Sequence, residues 1–380
     1  MNSSPGHPFR AMTVFIVLIG IQLAIWIGIT TLSSQFHFDS AGETRPLLLV
    51  LGLFAAASVT YLASIPLALK IATSRRSIAG LFLIAIVFRA VVLVSEPIQE
   101  VDIYRYIWDG AVLDEGVNPY QYSPANVRNT IEASSLFADD GPPDDSPPDD
   151  SPSNGSPSEG NSAEELAKLA AMAKAQPGLR EVLRRVHFGE LPTVYPPVSQ
   201  YVFRFAHRLT PEDANAVLHT RVMKSIIVLF DLGVMGVLCL LLIELGKNPA
   251  WCVAYGWSPL VVKEFANSGH LDSIAVFFVI LAVWCAVRAC SSKHSSVLVL
   301  ASAVSLGLGV GSKLYPIVLF PLLAAFVWRN FGHKGTIAWT CGVCIGCASL
   351  APMLLQQSNG VNPDQLTGIK TFFDTGRSTT

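Results

Sequence analysis

Long apolar runs joined by short polar links dominate this chain. They fall at 11–32, 47–69, 78–95, 222–243, 271–288, 296–311, 314–328 and 336–355. A helix of about 20 apolar residues crosses the hydrocarbon core of a bilayer. Segment 249–264 is shorter and broken near Pro259, yet the alternation of loops requires it as a further crossing. The pattern predicts an all-α, polytopic integral membrane protein of about nine transmembrane helices. The first run is too long for the apolar stretch of a signal peptide and lacks a small-residue cleavage site. It therefore reads as an uncleaved anchor.

Composition agrees. The 380 residues are 51% hydrophobic and only 14% charged, against about 25% charge in a soluble domain. A soluble enzyme, a nucleic-acid binder and a disordered scaffold are all disfavoured. The net charge of -2 conceals an asymmetry, because residues 139–165 hold nine carboxylates and no Lys or Arg. The rest of the chain is basic.

That basic charge orients the chain, since cytoplasmic links collect Lys and Arg. Arg10, Lys70, Arg75, Arg76, Lys247, Arg288, Lys293, Arg329 and Lys334 all fall on one side if the N-terminus is cytoplasmic. The expected location is the cell inner (plasma) membrane, multi-pass. The loop 96–221 and the turns 264–272 and 312–316 then face outward. Four parts follow: a three-helix segment (1–95), the extracytoplasmic loop (96–221), a helical body (222–355) and a polar tail (356–380).

Arg89, Lys224 and Asp231 lie inside apolar runs. A central charge costs on the order of 2.5–3.5 kcal/mol on insertion scales, so it pairs or lines a cavity. Asp231 has Lys224 or Arg89 as a candidate partner in a structural ion pair. Arg89 leans toward function, because it precedes the most chemical stretch of the chain. The seven cysteines all lie in or beside apolar segments. They read as small packing residues rather than as a disulfide framework.

Residues 96–126 read EPIQEVDIYRYIWDGAVLDEGVNPYQYSPAN. On a helix, Asp102, Tyr106 and Asp109 share a face, with Arg105 and Trp108 beside it. Gly110, Gly116 and Asn118-Pro119 mark turns. Acids beside aromatic rings suit sugars; a juxtamembrane aromatic belt with solvated charges fits the spacing equally well. Residues 139–162 are acidic, Pro-rich and of low complexity, a disordered insert. A short helix is expected over 163–175. After Tyr195-Pro196-Pro197 comes an amphipathic run, SQYVFRFAHRL, which reads as an interfacial helix.

Two outward turns complete the set. In Asn267-Ser268-Gly269-His270-Leu271-Asp272, His270 is a candidate phosphate ligand with Asp272 as helix cap; a cap alone is the plainer alternative. Lys313, in GSKLYP, is either a phosphate partner or a snorkelling lysine. No set of residues has metal-ligand spacing, His270 and Asp272 being the nearest, so no cofactor is expected.

Four stretches in order, DIYRYIWDGAVLDEGVNPYQYSP, TVYPPVSQYVF, NSGHLDSIAV and GSKLYPIVLFPLL, resemble the bacterial GT-C glycosyltransferases. They are most similar to the polyprenyl-phosphate-mannose-dependent mannosyltransferases and glycosyltransferase family 87. The resemblance spans about residues 80–355. It implies transfer of a hexose, mannose first, from a polyprenyl-phosphate-linked donor to a glycan or lipid acceptor at the outer face, with the bilayer as a further partner and no nucleic acid. It implies Asp102 as general base, with Glu100 as the alternative where relatives carry paired acids. Arg89, Arg105, Lys313 and His270 would hold the lipid phosphate, and Asp109, Tyr120, Tyr195 and Asp272 the hydroxyls. Relatives continue with further helices, so the tail 356–380 reads as the end of a shortened chain. Two other classes remain open: a transporter or flippase of lipid-linked glycans, and a non-catalytic membrane scaffold.

Overall fold

The computed structural model describes residues 7–39, 45–71, 74–139 and 157–351. Every regular element among them is helical. In chain order they are α1 (His7–Leu32), α2 (Leu47–Ile71), α3 (Arg75–Leu93), α4 (Asp102–Asp114), α5 (Pro124–Asp139), α6 (Pro157–Ala175) and α7 (Pro177–Arg185). Then follow α8 (Pro197–Arg208), α9 (Ala216–Glu244), the one-turn helices α10 (Val253–Gly256) and α11 (Pro259–Val262), α12 (Asp272–Ala289), α13 (Ser295–Ser312) and α14 (Phe320–Cys347). Seven helical stretches, among the described residues, are long and apolar enough to cross a membrane. This is a membrane protein, and large apolar side chains such as Leu48, Val59 and Leu229 stand exposed along its helices, as a lipid-facing surface requires.

The chain divides into two compact units. The first holds residues up to Ile103, the short stretch Pro196–Ser199, and Met223–Ala351. Its core near the N-terminus is built on Trp257, fully buried, with Phe88 and Phe15 against its ring at 6.3 and 5.9 Å.

Residues 248–267 make no long helix, but they run the length of this unit. Asn248 Nδ2 donates to the Leu69 carbonyl, near the end of α2. Tyr61 donates to the Ala254 carbonyl, and Trp257 Nε1 to that of Leu81. At the far end Asn267 bonds to Ser95 and Glu96, just past α3. A segment broken by Pro259 cannot satisfy its backbone alone, and in lipid each orphaned group costs several kcal/mol. Neighbouring helices supply the missing partners.

The pair Arg89–Asp231 is the other tie. Both side chains are essentially inaccessible. Arg89 Nε and Nη2 donate to the two Asp231 oxygens at 2.5 and 3.1 Å. Nη1 donates to the Gly256 and Ala85 carbonyls, and the Tyr255 hydroxyl to Asp231 at 2.8 Å. Asp231 thus pairs with Arg89 rather than Lys224, whose ammonium donates to the Ser95 carbonyl.

In α13 and α14, small residues recur four apart. A Cβ on Gly307 would lie 2.6 Å from the Gly346 backbone, and one on Gly342 would lie 2.7 Å from Ala303. Small residues at this spacing let membrane helices touch backbone to backbone. Within α14, Gly332 takes φ +68° and breaks the helical path. Phe320 and Trp339 meet at 5.4 Å across that break. Nineteen residues of straight helix would hold them about 28 Å apart, so the chain doubles back at Gly332. That reversal falls in the polar link expected between the runs 314–328 and 336–355.

The second unit holds Tyr104–Tyr195 and Gln200–Val222 among the described residues. Gly110 does not end α4. It lies mid-helix because a Cβ there would sit 2.5 Å from the Phe203 carbonyl; the helix ends instead at Gly116, with φ +79°. Tyr106 stacks on Phe203 at 4.7 Å, with Tyr195 edge-on at 4.9 Å. Two elements differ from expectation. Helix α5 was masked in the sequence by its polar, Ser-rich content. Helix α6 begins at Pro157, six residues early, in a stretch assigned to the acidic insert; proline is favoured at a first helical position. The rest of that insert, and the tail 356–380, lie outside the described residues.

Removing one partner of a buried ion pair costs about 3–5 kcal/mol, whereas replacing both with apolar groups is far milder. Asp231→Ala is therefore expected to lower the thermal midpoint of detergent-purified protein sharply, and Asp231→Leu with Arg89→Met to recover most of it. Equal losses in the two variants would show that the pair is not the tie.

Candidate functional site

The first unit gathers Glu100, Asp102, His270, Asp272 and Lys313, and local structure explains how. Asn267 is fully buried. It accepts from the Ile98 N–H at 3.0 Å and donates to Ser95 Oγ at 2.7 Å and the Glu96 carbonyl at 2.8 Å. This one amide fastens the segment after α3 to the 264–272 turn. Gly269, with φ +69°, lets Ile103 close in: a Cβ there would lie 2.5 Å from Ile103 Cδ1. The start of α4 is thereby set beside His270.

Gln99 also takes a left-handed conformation, φ 58°, which turns the chain so that Glu100 faces the first turn of α4. Glu100 Oε1 accepts from the N–H groups of Val101 and Asp102 at 3.1 and 3.4 Å. Glu100 Oε2 lies 3.7 Å from His270 Nε2. His270 Nδ1 is held by Asp272 Oδ2 at 2.6 Å, and Lys313 Nζ donates to both Asp272 oxygens at 2.7 Å. The Asp272 hydrogen bond, with the charges of Asp272 and Glu100, raises the His270 pKa; burial and Lys313 work against it. Without another cation the ring is thus biased toward imidazolium. The five side chains are half-buried, so acids on the 100–102 side meet cations on the 270–313 side at an accessible place.

An apolar groove of about 390 Å³ begins beside this cluster. Leu47, Val50, Leu51 and Phe54 of α2 form one wall, Pro259 and Leu260 the other, and Gln99, Lys263 and Glu264 the polar end. The Glu264 carbonyl accepts the His270 N–H at 2.9 Å, which ties this polar end to the cluster.

The remaining residues singled out in the sequence are elsewhere. Arg89 is 1% exposed, and all three of its guanidinium nitrogens bond to Asp231 or to backbone carbonyls. Four of its five N–H donors are spent inside the protein, and its burial keeps it from a phosphate. Arg105, Asp109, Tyr120 and Tyr195 belong to the second unit. Asp109 is 2% exposed, with Arg105 Nε on one oxygen at 2.8 Å and Gln200 Nε2 on the other at 3.2 Å. The Tyr120 hydroxyl donates to the Tyr195 carbonyl at 2.7 Å. Burial, then the nearby Asp109 charge, pushes the Tyr120 phenol up. These groups are engaged with one another in a buried network, and burial keeps Asp109 from a sugar hydroxyl.

Sequence reasoning missed Asn267 as a clamp, and Gln200. A buried Asn between apolar segments was the available signal for the first; Gln200 had none. It also missed that residues 168 apart in the chain, Asp102 and His270, would share one place.

Comparison of the chain with protein-family models, with curated proteins and with solved structures finds no match to any of them.

Asn267→Ala leaves a buried N–H and two oxygens short of a partner, worth about 1–3 kcal/mol. The expected outcome is a lower unfolding midpoint together with faster proteolysis between residues 96 and 101. A midpoint and cleavage rate like those of the unmodified protein would remove Asn267 as the clamp.

Proposed function

We propose that this protein is a membrane glycosyltransferase that moves a hexose, mannose first, from a polyprenyl-phosphate donor to a glycan or lipid acceptor at the outer face of the plasma membrane. One observation carries the reading: carboxylates and cations converge next to the polar end of an apolar groove, joined to it through Gln99 and through the Glu264 carbonyl that holds the His270 N–H. The transfer needs such an arrangement. An acceptor hydroxyl must lose a proton as its oxygen attacks the anomeric carbon, and the lipid phosphate that leaves must be met by positive charge.

Asp102 takes the proton. Glu100 is the alternative, but its Oε1 is committed to the first turn of α4. His270 as imidazolium, and Lys313, supply positive charge; Asp272 orients both. The groove along α2 takes the apolar chain of the donor. Arg89, Arg105 and Asp109 act on the scaffold rather than on substrate.

The topology belongs to the same reading. With α14 counted as two passes and the broken segment 248–267 as one, the chain makes nine passes in a GT-C-like arrangement. The N-terminus is then cytoplasmic, and the links after α3, before α12 and after α13 are extracytoplasmic.

A second reading, a transporter of lipid-linked glycans, draws on the broken helix beside the buried Arg89–Asp231 pair. Transporters place their sites on interrupted helices near the midplane. Here the pair is buried and bonded to itself, to Tyr255 and to backbone carbonyls, which keeps it from a substrate.

The test uses membrane vesicles containing the chain, with radiolabelled polyprenyl-phosphate mannose and then the glucose analogue. Label is expected in glycan or glycolipid. Asp102→Asn should reduce transfer about 10²–10⁴-fold, the usual span for a positioned base. Unchanged transfer in Asp102→Asn overturns the base assignment, and uptake of label without covalent transfer favours the transporter.

A further inference from the structure

The acids and the imidazole at the candidate site are arranged like ligands around a single ion. Glu100, Asp102 and His270 each offer one ligand atom, and these atoms all lie within 4.8 Å of one another. Ligands bound at about 2.0–2.2 Å to one ion lie roughly 3–4 Å apart when at right angles or tetrahedral to each other. The Glu100–His270 pair, at 3.7 Å, is already close to that spacing, and the widest pair in the set needs to close by at most about 1–2 Å, within the reach of side-chain rotation.

Three details go beyond proximity. First, the donors come from two chain segments 168 residues apart, so local helix geometry does not account for their meeting. Second, His270 Nδ1 is taken by Asp272 at 2.6 Å, while Nε2 is the nitrogen that faces Glu100 Oε2 at 3.7 Å. A carboxylate on the far ring nitrogen is what fixes the tautomer and direction of a metal-binding histidine. Third, Lys313 is bonded to both oxygens of Asp272. It therefore neutralises Asp272, the carboxylate behind the imidazole, which then serves to position the histidine. Glu100 has one oxygen on the α4 backbone, which fixes its orientation, and the other turned toward His270.

We propose that Glu100, Asp102 and His270 bind one divalent first-row transition ion, with Asp272 positioning the histidine from behind. One nitrogen and two carboxylate oxygens suit Mn²⁺ or Zn²⁺. All three residues are only partly buried, so the remaining coordination positions open to water or to an anionic oxygen. The ion links the start of α4 to the turn before α12. The ion shares Asp102 and His270 with the glycosyltransferase reading; when it is bound the imidazole is neutral and the ion takes over the positive charge assigned there to imidazolium, while binding itself is measured with the metal alone and no sugar donor. An ion held through one Asp102 oxygen leaves the other oxygen uncoordinated.

Mn²⁺ is the probe, added to full-chain protein purified in detergent and stripped with chelator, and followed by electron paramagnetic resonance. One saturable Mn²⁺ per chain is expected, with nitrogen modulation in the echo signal from the imidazole. His270→Gln should abolish the nitrogen signal and weaken binding at least tenfold. Glu100→Gln should weaken binding similarly while keeping the nitrogen signal. Asp272→Asn should weaken binding about 10–100-fold, as loss of a supporting carboxylate does. Each variant is checked for a monodisperse elution profile, and Glu100→Gln carries the test if His270→Gln does not fold. Absence of saturable binding below about 1 mM Mn²⁺, or saturable binding without nitrogen modulation in the unmodified chain, overturns the proposal. Failure of sugar transfer in the vesicle assay leaves it untouched.

Discussion

A single buried amide holds the candidate site together. Asn267 offers one acceptor and two donors, and all three are used on the backbone and side chains of residues 95–98. Those residues leave α3 without helical partners of their own. An amide is suited to the task, because it satisfies donors and acceptors together without bringing a charge. From this clamp the geometry follows outward. Gly269 admits Ile103, Gln99 turns the chain, Glu100 caps α4, and Asp102 comes to rest beside His270.

The protein separates its polar groups by role. Arg89, Asp231 and Tyr255 form a closed set in which each charge meets its partner inside the apolar body. Arg105, Asp109 and Gln200 form another, in the second unit. In both, burial makes hydrogen bonding obligatory and leaves little for a ligand. Glu100, Asp102, His270, Asp272 and Lys313 differ because they are half-exposed and carry both signs of charge within a few ångströms. Charged groups kept wet and close to one another are available for chemistry in a way that desiccated pairs are not.

Hydrophobic length made most of the membrane helices legible from sequence, down to the polar link where Gly332 reverses the chain. The local motifs 267–272 and 311–316 were legible as chemistry because polar groups are conspicuous among apolar ones. Partner choice was not. Asp231 had two cations in its neighbourhood, and only the register of α3 against α9 selects Arg89. The resemblance makes Asp109 a sugar ligand, yet it is buried against Gln200 and Arg105. Convergence of Asp102 with His270 depends on the course of the chain in space, which no spacing encodes. Helix α5 was hidden because its buried apolar face is narrow, Ala125, Val127 and Ile131 among polar neighbours.

The irregular segment 248–267 bears on how the chain is made. Its Ala254, Gly256 and Trp257 carbonyls accept from Tyr61, Arg89 and Gln22, and its Asn248, Trp257 and Asn267 side chains bond to the Leu69 and Leu81 carbonyls and to residues 95–98, all of which leave the ribosome earlier. Short, kinked and carrying Lys263 and Glu264, it is a poor substrate for insertion by itself. On the nine-pass topology proposed above, its entry into the bilayer would be templated by helices already resident there. Biogenesis thus has a built-in order, in which α1 to α3 form a receiving wall and the site closes only when the turn at Asn267 docks on it.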